Sequence, residues 1–343
     1  MKTSLTQRTA LVTGSAGFIG FHTCQRLLSQ GWQVIGLDAM TEYYDVALKA
    51  RRHAILLQSQ GFLAVEARLE TPGRLLDVFR QHRPDTVIHL AAQAGVRASL
   101  DHPERYVEAN LIGTFRLLEA ARRVPPAHLL LASTSSVYGA NTRMPSAETD
   151  QTDTQMSFYA ATKKANEAMA HSYAHLYDLP VTMFRFFTVY GPWGWPDMAI
   201  FKFTRAILEG KPIDIYNHGD MARDFTFVTD LADGIVRLIT AIPARPKAPG
   251  MIAEGDSLSP VAPYRVVNIG NSAPVQLMDV IAAIEAATGT TARRTMLGMQ
   301  PGDVPATWAD TGLLYRLTGY RPHTRVADGV AAFVRWYRGY YGV

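Results

Sequence analysis

The sequence predicts an α/β protein built on a doubly wound parallel sheet, followed by a smaller C-terminal α/β lobe. Three observations support this fold class. Apolar segments typical of buried strands alternate with helical patterns, a glycine-rich turn follows the first strand, and the second strand ends in an acid. Residues 1–187 are expected to form the sheet domain, with returning segments near 225–242 and 264–270, and residues 188–343 mainly the second lobe.

The composition is that of a globular protein with a large core. Of the 343 residues, 48% are hydrophobic and 19% are charged. No apolar run reaches about 20 residues and residues 1–8 are polar, so neither a membrane span nor a signal peptide is expected. The single cysteine, Cys24, excludes an intrachain disulfide and a cysteine-built metal site, which favours the cytoplasm. A net charge of +4 with well-mixed signs does not indicate nucleic-acid binding.

The first strand and the turn after it form a nucleotide-binding pattern. Thr9–Thr13 predicts a buried parallel strand, the glycine-rich turn Gly14–Gly20 follows, and a helical pattern continues to about Gln30. Glycines allow a tight turn and let backbone amides approach a pyrophosphate, and the helix N-terminus favours anions. This order is typical of a Rossmann fold. The cofactor-binding candidates in the turn are Gly14, Ala16, Gly17, Phe18 and Ile19.

The second predicted strand, Gln33–Asp38, ends in a carboxylate that suits the ribose of a dinucleotide. A carboxylate there accepts hydrogen bonds from the ribose diol and repels a 2′-phosphate, so Asp38 favours NAD over NADP. The alternative is that Asp38 only caps a loop. Its place after a strand, a glycine turn and a helix favours the cofactor role.

The alternation of strands and helices continues to about residue 187. Further strands are expected at 62–65, 85–90, 128–133 and 181–187, and helices at 72–81, 103–123 and 158–177. The fourth strand runs into Leu90, Ala91 and Ala92. Small side chains at the carboxyl end of a strand let a cofactor lie close, which makes these three residues cofactor-binding candidates.

A hydroxyl-rich strand end and a Tyr–Lys pair predict proton-transfer chemistry. The fifth strand runs into the hydroxyl residues 133–136. Tyr159 stands four residues before Lys163 on a predicted helix, so both side chains share one face. A nearby ammonium favours the phenolate, which would let Tyr159 act as a base near neutral pH. The alternative, a surface tyrosine and a solvated lysine, is disfavoured by the dinucleotide pattern upstream.

The C-terminal half has a less regular pattern, as expected of a substrate lobe. Helices are expected at 198–208, 230–241, 275–289 and 326–340, and a strand at 264–270 is expected to rejoin the main sheet. Residues 242–263 are rich in proline and predict a loop. Phe333, Trp336 and Tyr337 are interpreted as packing residues rather than a ligand site.

Taken together, these motifs resemble those of the extended short-chain dehydrogenase/reductases that modify nucleotide sugars, and within them most closely the UDP-glucuronate 4-epimerases. The general motifs are Gly14–Gly20, Asp38, Leu90–Ala92, Asn110, the Ser/Thr strand end and the Tyr159/Lys163 pair. The more specific matches span nearly the whole chain: Tyr43–Asp45, Ala91–Arg97, Phe184–Trp193, Pro196–Ala199, Gly210–Gly219, Arg223–Phe225 and Met299–Ala306.

The resemblance implies a tightly bound NAD and a homodimer formed by the helices beginning near Pro103 and Phe158. Tyr159 would be the catalytic base, Lys163 would hold the nicotinamide ribose and tune Tyr159, and Thr134, rather than its neighbour Ser133, would be the second catalytic hydroxyl. Two further cofactor-binding residues are implied: Asn110 and Phe186.

The resemblance also implies a UDP-sugar substrate. Tyr216 would stack on uracil, Arg223 would bind the pyrophosphate, and Asp303 would help to hold the nucleotide. The remaining implied substrate-binding residues are Arg97, Ser135, Ser136, Thr188 and Trp195.

The implied reaction is the 4-epimerisation of UDP-glucuronate to UDP-galacturonate through a transient 4-keto sugar. Related decarboxylases and 4,6-dehydratases have Glu two residues before the tyrosine of the Val-Tyr-Gly motif, where this chain has Ser136, so simple epimerisation is favoured. The alternatives are a UDP-glucose/galactose or UDP-pentose 4-epimerase. Less favoured are a UDP-glucuronate decarboxylase and a non-catalytic NAD-sensing protein.

Three positions depart from the epimerase pattern. Trp195 stands where these enzymes usually have the arginine that pairs with the sugar carboxylate, and indole cannot form an ion pair. The neutral donors that remain, and a substitute cation, are Ser135, Ser136, Thr188 and Arg97. The third strand is followed by Ala67-Arg68 in place of Gly-Asp, and Ala39 replaces a common Asn, so the adenosine contacts are expected to differ.

Overall fold

A seven-stranded parallel sheet forms the centre of the molecule, which a computed structural model describes for residues 8–300 and 304–343. Its strands are β1 (Thr9–Thr13), β2 (Gln33–Asp38), β3 (Phe62–Glu66), β4 (Thr86–His89), β5 (His128–Thr134), β6 (Val181–Phe186) and β10 (Tyr264–Ile269). The strand order is β3-β2-β1-β4-β5-β6-β10, and all neighbours are parallel. The predicted doubly wound sheet is confirmed, and β10 rejoins it as expected.

Helices cover both faces of this sheet because successive strand residues point to opposite sides. Ala10 and Val12 of β1 pack with the helices 18–29 and 228–238, whereas Leu11 packs with the helices 74–82, 113–123 and 158–177. The helices are α1 (Phe18–Ser29), α2 (Val46–Leu56), α3 (Arg74–His82), α4 (Ala98–Asp101), α5 (Pro103–Tyr106), α6 (Gly113–Arg123), α7 (Phe158–Tyr177), α8 (Ala199–Leu208), α9 (Val228–Leu238), α10 (Leu277–Thr288), α11 (Gly312–Thr318) and α12 (Val326–Tyr341).

The C-terminal half adds two small sheets and a second hydrophobic core. Their strands are β7 (Thr188–Tyr190), β8 (Pro212–Ile215), β9 (Ala222–Phe227), β11 (Pro274–Gln276) and β12 (Arg293–Met296), in the orders β11-β9-β7 and β12-β8. The core lies between α8, α10 and α12. Phe333 and Tyr337 are buried in it and Trp336 packs against it, which confirms that these aromatic residues serve packing.

Several helical segments differ from the predictions, among them the short helices α4 and α11, which were not expected. The helix expected at 103–123 is formed by α5, a wide π-helical segment at Val107–Ile112, and α6. The helix α2 was not predicted, because its buried residues include two cations, Lys49 and Arg52, which interrupt the apolar periodicity. Short 3₁₀ turns occur at Ser135–Tyr138, Tyr216–Gly219 and Pro249–Met251.

Within the described ranges, no helix has both the length and the hydropathy needed to cross a bilayer. The same ranges contain no group of three His, Cys, Asp or Glu side chains that could hold a metal ion. Cys24 lies in the core against the central sheet, and burial raises the pKa of its thiol. The thiol therefore stays protonated and unreactive in the folded protein.

Candidate active site

The glycine turn between β1 and α1 is packed too closely for side chains. Gly14 has a φ of +74°, and a Cβ on it would lie 2.8 Å from the Ala91 nitrogen. A Cβ on Gly20 would overlap the Gly14 oxygen. The first amides of α1, at Phe18 and Ile19, have no acceptor within the helix because the helix begins there. The start of α1 therefore offers backbone N–H groups that the helix does not use and a positive helix end, which fit a dinucleotide pyrophosphate.

Asp38 is held at the end of β2 by two backbone amides. Its Oδ2 accepts a hydrogen bond from the Ala16 nitrogen at 3.0 Å, and its Oδ1 accepts one from the Met40 nitrogen at 2.9 Å. The carboxylate thus caps the following loop, and each oxygen keeps acceptor capacity for a ribose hydroxyl. Arg68, which replaces the usual acid after β3, is exposed and pairs with Glu70 at 3.2 Å.

Asn110 is placed behind the loop that follows β4 and is only 1% exposed. Its Oδ1 accepts from the Gln93 nitrogen at 2.8 Å, and its Nδ2 donates to the Gln93 oxygen at 3.1 Å and to Thr162 Oγ1 at 3.0 Å. Both Nδ2 protons are therefore used, and the direct cofactor contact that the resemblance implies could be made only at the second lone pair of Oδ1. The geometry instead makes Asn110 a residue that positions the loop beside the sheet edge.

The hydroxyl side chains at the end of β5 point to opposite sides, as alternation along a strand requires. Ser133 Oγ donates to Glu167 Oε1 at 2.6 Å. Thr134 Oγ1 accepts from the Ser136 nitrogen at 3.2 Å and donates to Ser136 Oγ at 3.3 Å, and it lies close enough to Tyr159 to lower the pKa of that phenol. Thr134, and not Ser133, is therefore the strand hydroxyl that the structure brings to Tyr159.

The electrostatics of Tyr159 and Lys163 differ from the prediction. Burial raises the pKa of Tyr159 to about 12, and the hydrogen bond with Thr134 only partly opposes this. Burial lowers the pKa of Lys163 to about 8, with Glu167 acting in the opposite direction. The prediction that Lys163 brings the pKa of Tyr159 near neutrality is wrong when only the groups of the protein, without a cofactor, act on Tyr159. Both side chains lie on the same helix, but desolvation is the larger effect.

A buried ion pair lies beneath this catalytic helix. Arg185 on β6 donates from Nε and a terminal nitrogen to the two carboxylate oxygens of Glu167, at 3.0 and 2.9 Å. Both side chains are 3% exposed. Burial acts to raise the pKa of Glu167, but the Arg185 guanidinium outweighs it and the pKa is lowered. The resulting carboxylate fixes Ser133 and lies one helical turn beyond Lys163.

Glu148 is a second buried acid in the same region, with a different charge state. The Asn268 nitrogen donates to Glu148 Oε1 at 2.8 Å, and Arg185 donates to the Glu148 carbonyl oxygen rather than to its carboxyl group. Burial raises the pKa of Glu148 to about 7, and the nearby Asp310 adds to the shift. Glu148 therefore gains its proton close to physiological pH.

The substitution Glu148→Gln is expected to remove a pH-dependent loss of stability. The folded pKa of about 7 exceeds the ordinary value of 4.5, so the folded state binds more protons in this window and wild-type stability falls as pH rises through it. Since glutamine stays neutral and can accept the Asn268 bond, the variant should match wild type near pH 4.5 and exceed it by about 3 kcal/mol at pH 8. Urea unfolding at both pH values measures this, and a pH-independent difference would contradict the assignment.

Several aromatic side chains lie beside Tyr159 and the loop that follows β4. The ring of Tyr106 lies 6.1 Å from that of Tyr159, and the hydroxyls of Tyr106 and Tyr43 each donate to the Ala94 oxygen at 2.7 Å. The ring of Trp195 lies 5.9 Å from that of Tyr43, and its buried indole N–H has no hydrogen-bond partner among the described residues. Position 195 therefore presents apolar surface in place of a cation. The sequence motifs assigned no role in the site to Tyr43 or Tyr106. Tyr43 could have been considered, because it lies in the Tyr43–Asp45 motif that supports the family resemblance.

The other candidate substrate residues gather on the C-terminal lobe and on the turn after β5. The Arg97 guanidinium lies 4.8 Å from the centre of the Tyr216 ring, so one face of that ring is covered and uracil would have to use the other. Arg223 on β9 donates to the Pro305 oxygen at 3.1 Å. The remaining substrate candidates are Thr188 at the start of β7, Ser135 and Ser136 in the 3₁₀ turn, and Asp303, which lies outside the described residues. The cofactor candidate Phe186 is the last residue of β6.

A parallel sheet with a glycine turn after β1, an acid after β2 and a Thr–Tyr–Lys set at its carboxyl edge define a dinucleotide-dependent enzyme of the short-chain dehydrogenase/reductase type. The model of the NAD dependent epimerase/dehydratase family matches residues 10–252. The chain belongs to this family.

Three relatives show which members of this family the chain is similar to. A probable UDP-glucuronate 4-epimerase of Rhizobium meliloti (strain 1021) is 55% identical over 327 residues, covering 95% of this chain and 96% of the relative. UDP-glucuronate 4-epimerase 4 of Arabidopsis thaliana is 45% identical, covering 97% of this chain and 76% of the relative. The crystal structure of UDP-glucuronic acid 4-epimerase from Bacillus cereus with UDP-glucuronic acid and NAD is 31% identical, with a TM-score of 0.86 over 97% of this chain and all of that chain (100%).

Proposed function

We propose that the protein interconverts UDP-glucuronate and UDP-galacturonate with NAD as its cofactor. The observation that carries this proposal is the position of Thr134, at the end of β5, beside Tyr159 on the helix face that also holds Lys163, at the sheet edge reached by the glycine turn. The names of the relatives support the uronate specificity and the epimerase reaction.

The residues present fit NAD, which when bound would accept a hydride from C4 of the sugar and return it. The glycine turn would bind the pyrophosphate through backbone N–H groups, and Asp38 would accept bonds from a ribose diol. Leu90, Ala91 and Ala92 leave room beside the turn. Lys163, buried and positively charged below about pH 8, would donate to the other ribose.

The chain's own chemistry is proton transfer at O4. Tyr159 would take the O4 proton as a phenolate and later return it, while Thr134 would hold the same oxygen by a hydrogen bond. Because burial alone holds the pKa of Tyr159 at about 12, the positive charges of Lys163 and of a bound NAD⁺ would have to lower it in the loaded enzyme. Epimerisation requires the sugar to present its other face to the cofactor between the two proton transfers. The apolar surface of Tyr106, Tyr43 and Trp195 offers few polar groups that would hold the sugar in one orientation.

A second candidate, a UDP-hexose or UDP-pentose 4-epimerase, is favoured by one specific observation. Trp195, which packs next to Tyr43, contributes no cation to the sugar subsite. The substitute cation, Arg97, lies against the Tyr216 ring instead. For this second candidate, a neutral sugar would occupy the subsite beside Trp195 without forming an ion pair.

The experiment that tests the proposal is incubation of the purified protein with UDP-glucuronate, without added NAD, followed by separation of the nucleotide sugars. UDP-galacturonate is the expected product, because a regenerated cofactor can remain bound. UDP-xylose would instead identify a decarboxylase. If no product forms even with added NAD, conversion of UDP-glucose or UDP-xylose would favour the second candidate.

The proposal extends to organisation and location. Residues 1–187, with β9–α9 and β10, would form the NAD-binding domain, and the rest mainly the nucleotide-sugar lobe. Large apolar side chains exposed on the helices 103–123 and 158–177 support a homodimer, and a sedimentation mass of one protomer would contradict it. These side chains are Val107, Ile112, Phe115, Phe158 and Leu176. A cytoplasmic location remains a prediction from the single cysteine.

A further inference from the structure

Arg52 on α2 is a fully buried cation, 0% exposed, that contacts both halves of the ligand site. One terminal nitrogen donates to the Ala16 oxygen in the glycine turn at 2.8 Å. The other donates to the Trp193 oxygen at 2.6 Å and lies 3.4 Å from the Gly194 oxygen. The guanidinium thus spans the gap between the turn that would hold the cofactor and the segment that carries Trp195.

Every hydrogen-bond acceptor that the described residues offer Arg52 is neutral. Besides the three backbone carbonyls, its acceptor is the Tyr44 hydroxyl at 2.7 Å, and its Nε has no hydrogen-bond partner within the part of the chain that the structure describes. A buried charge that is solvated only by neutral oxygens costs free energy. Its positive potential therefore acts on the glycine turn, where the Ala16 oxygen accepts from Arg52 and the Ala16 nitrogen donates to the Asp38 carboxylate.

The segment that Arg52 holds is conformationally strained. Trp193 has a φ of +62°, a left-handed conformation that bulky side chains rarely adopt. Such a residue persists only where its surroundings enforce it. His22 provides a second attachment, since its Nε2 lies 2.9 Å from the Pro192 oxygen. Burial lowers the pKa of His22 to about 4, so at neutral pH this is a neutral imidazole that donates from Nε2.

We propose that Arg52 is a positioning residue that couples the cofactor site to the sugar subsite. Its forked guanidinium fixes the glycine turn and the Trp193–Trp195 segment relative to each other, and its charge assists the anionic ligand beside it. The identities of the two ligands rest on the proposed function. The coupling itself rests on the contacts of Arg52 with both loops.

The test compares Arg52→Lys and Arg52→Met with Lys49→Met as a matched control. Lys49 is a second buried cation on α2 and lies over the same Tyr44 ring, but it donates to Thr41 and contacts neither loop. Lysine keeps the charge at position 52 but cannot fork onto both loops. If Arg52→Met does not fold, Arg52→Lys carries the test.

Two binding measurements report on the two halves of the site: the rate at which bound NAD dissociates, and the dissociation constant for UDP-glucuronate. The second is taken in the Tyr159→Phe background to suppress turnover, with UDP, which lacks the sugar, as the reference ligand. Arg52→Lys is expected to raise both by about 10- to 100-fold, with KM rising and kcat at saturating ligands changing by less than about threefold. Arg52→Met should exceed these effects, and Lys49→Met should leave both within about twofold.

Three results would overturn the proposal: unchanged binding of both ligands in Arg52→Lys, a change confined to one ligand, or equal effects in Lys49→Met. The last result would assign the effect to charge on α2 rather than to the connection between the loops. Failure of the wild-type protein to convert UDP-glucuronate would refute the proposed substrate instead, and it would leave the NAD and UDP binding measurements interpretable.

Discussion

Replacing Tyr159 by phenylalanine is expected to lower kcat for UDP-sugar epimerisation by about a thousandfold, within the range of 10² to 10⁴ that a positioned acid–base group contributes. Phenylalanine keeps the ring that packs 6.1 Å from Tyr106 but has no hydroxyl to take the O4 proton or to bond with Thr134. NAD and UDP should still bind within a few-fold of wild type, since neither ligand is held by the phenol alone. Steady-state kinetics with UDP-glucuronate, together with the bound NAD content, measures both effects.

The matched control is Tyr315→Phe. This tyrosine lies on α11, is 46% exposed, and loses the same hydroxyl without approaching the sheet edge. It should retain wild-type kcat. If Tyr159→Phe kept more than about a tenth of the wild-type turnover, another group would have to be the acid–base catalyst.

Neutralising Glu167 by glutamine is expected to cause a large loss of stability, although glutamine differs only in having an amide NH₂ in place of one carboxylate oxygen. In Glu167→Gln, the amide NH₂ would face a terminal nitrogen of Arg185, and a guanidinium that is 3% exposed would lose its counter-charge. Removing one partner of a buried pair costs about 3 to 5 kcal/mol. The loss would be measured as the free energy of unfolding in urea at neutral pH.

A second ion pair in the chain provides the comparison. Arg325 and Asp328 form an equally forked pair at 2.8 and 3.1 Å, but their side chains are 80% and 56% exposed. Asp328→Asn should therefore cost much less stability than Glu167→Gln, because water screens the exposed pair. Equal losses in the two variants would mean that burial does not set the strength of the Arg185–Glu167 pair.

Glu167 also links stability to catalysis through Lys163. The carboxylate acts against the effect of burial on the pKa of Lys163, which is about 8. In Glu167→Gln this pKa is expected to fall further, so the alkaline limb of the activity profile should move to lower pH.

The strands of the nucleotide-binding sheet could be predicted from the sequence because their information is local. Thr9–Thr13 and Gln33–Asp38 are short apolar segments with a glycine turn between them, and the structure has the predicted bounds. Phe158–Tyr177 is also found with the predicted bounds, since Ser157 caps it and the Asp178 backbone ends it in the left-handed conformation.

Long-range contacts explain what could not be predicted. The partners of Arg52 lie far from it in sequence, at Ala16 and Trp193, so no local pattern indicates that α2 contributes a buried cation. The pKa of Tyr159 depends on how completely the fold removes water from it, which a four-residue spacing from Lys163 does not report. The hydrogen bond between Asn110 and the Gln93 backbone is likewise apparent only from the folded structure.

The edge strand β10 has a consequence for how the chain is made. It completes the sheet beside β6, but the ribosome reaches it only after β7, β8, β9 and α9 have been synthesised. Until Ile269 has emerged, the nascent chain carries an unpaired apolar strand edge at Val181–Phe186, which is a template for intermolecular pairing. Premature termination near residue 187 should therefore give an aggregating fragment rather than a free-standing nucleotide-binding module, and chaperones would have to shield that edge while the second lobe is translated.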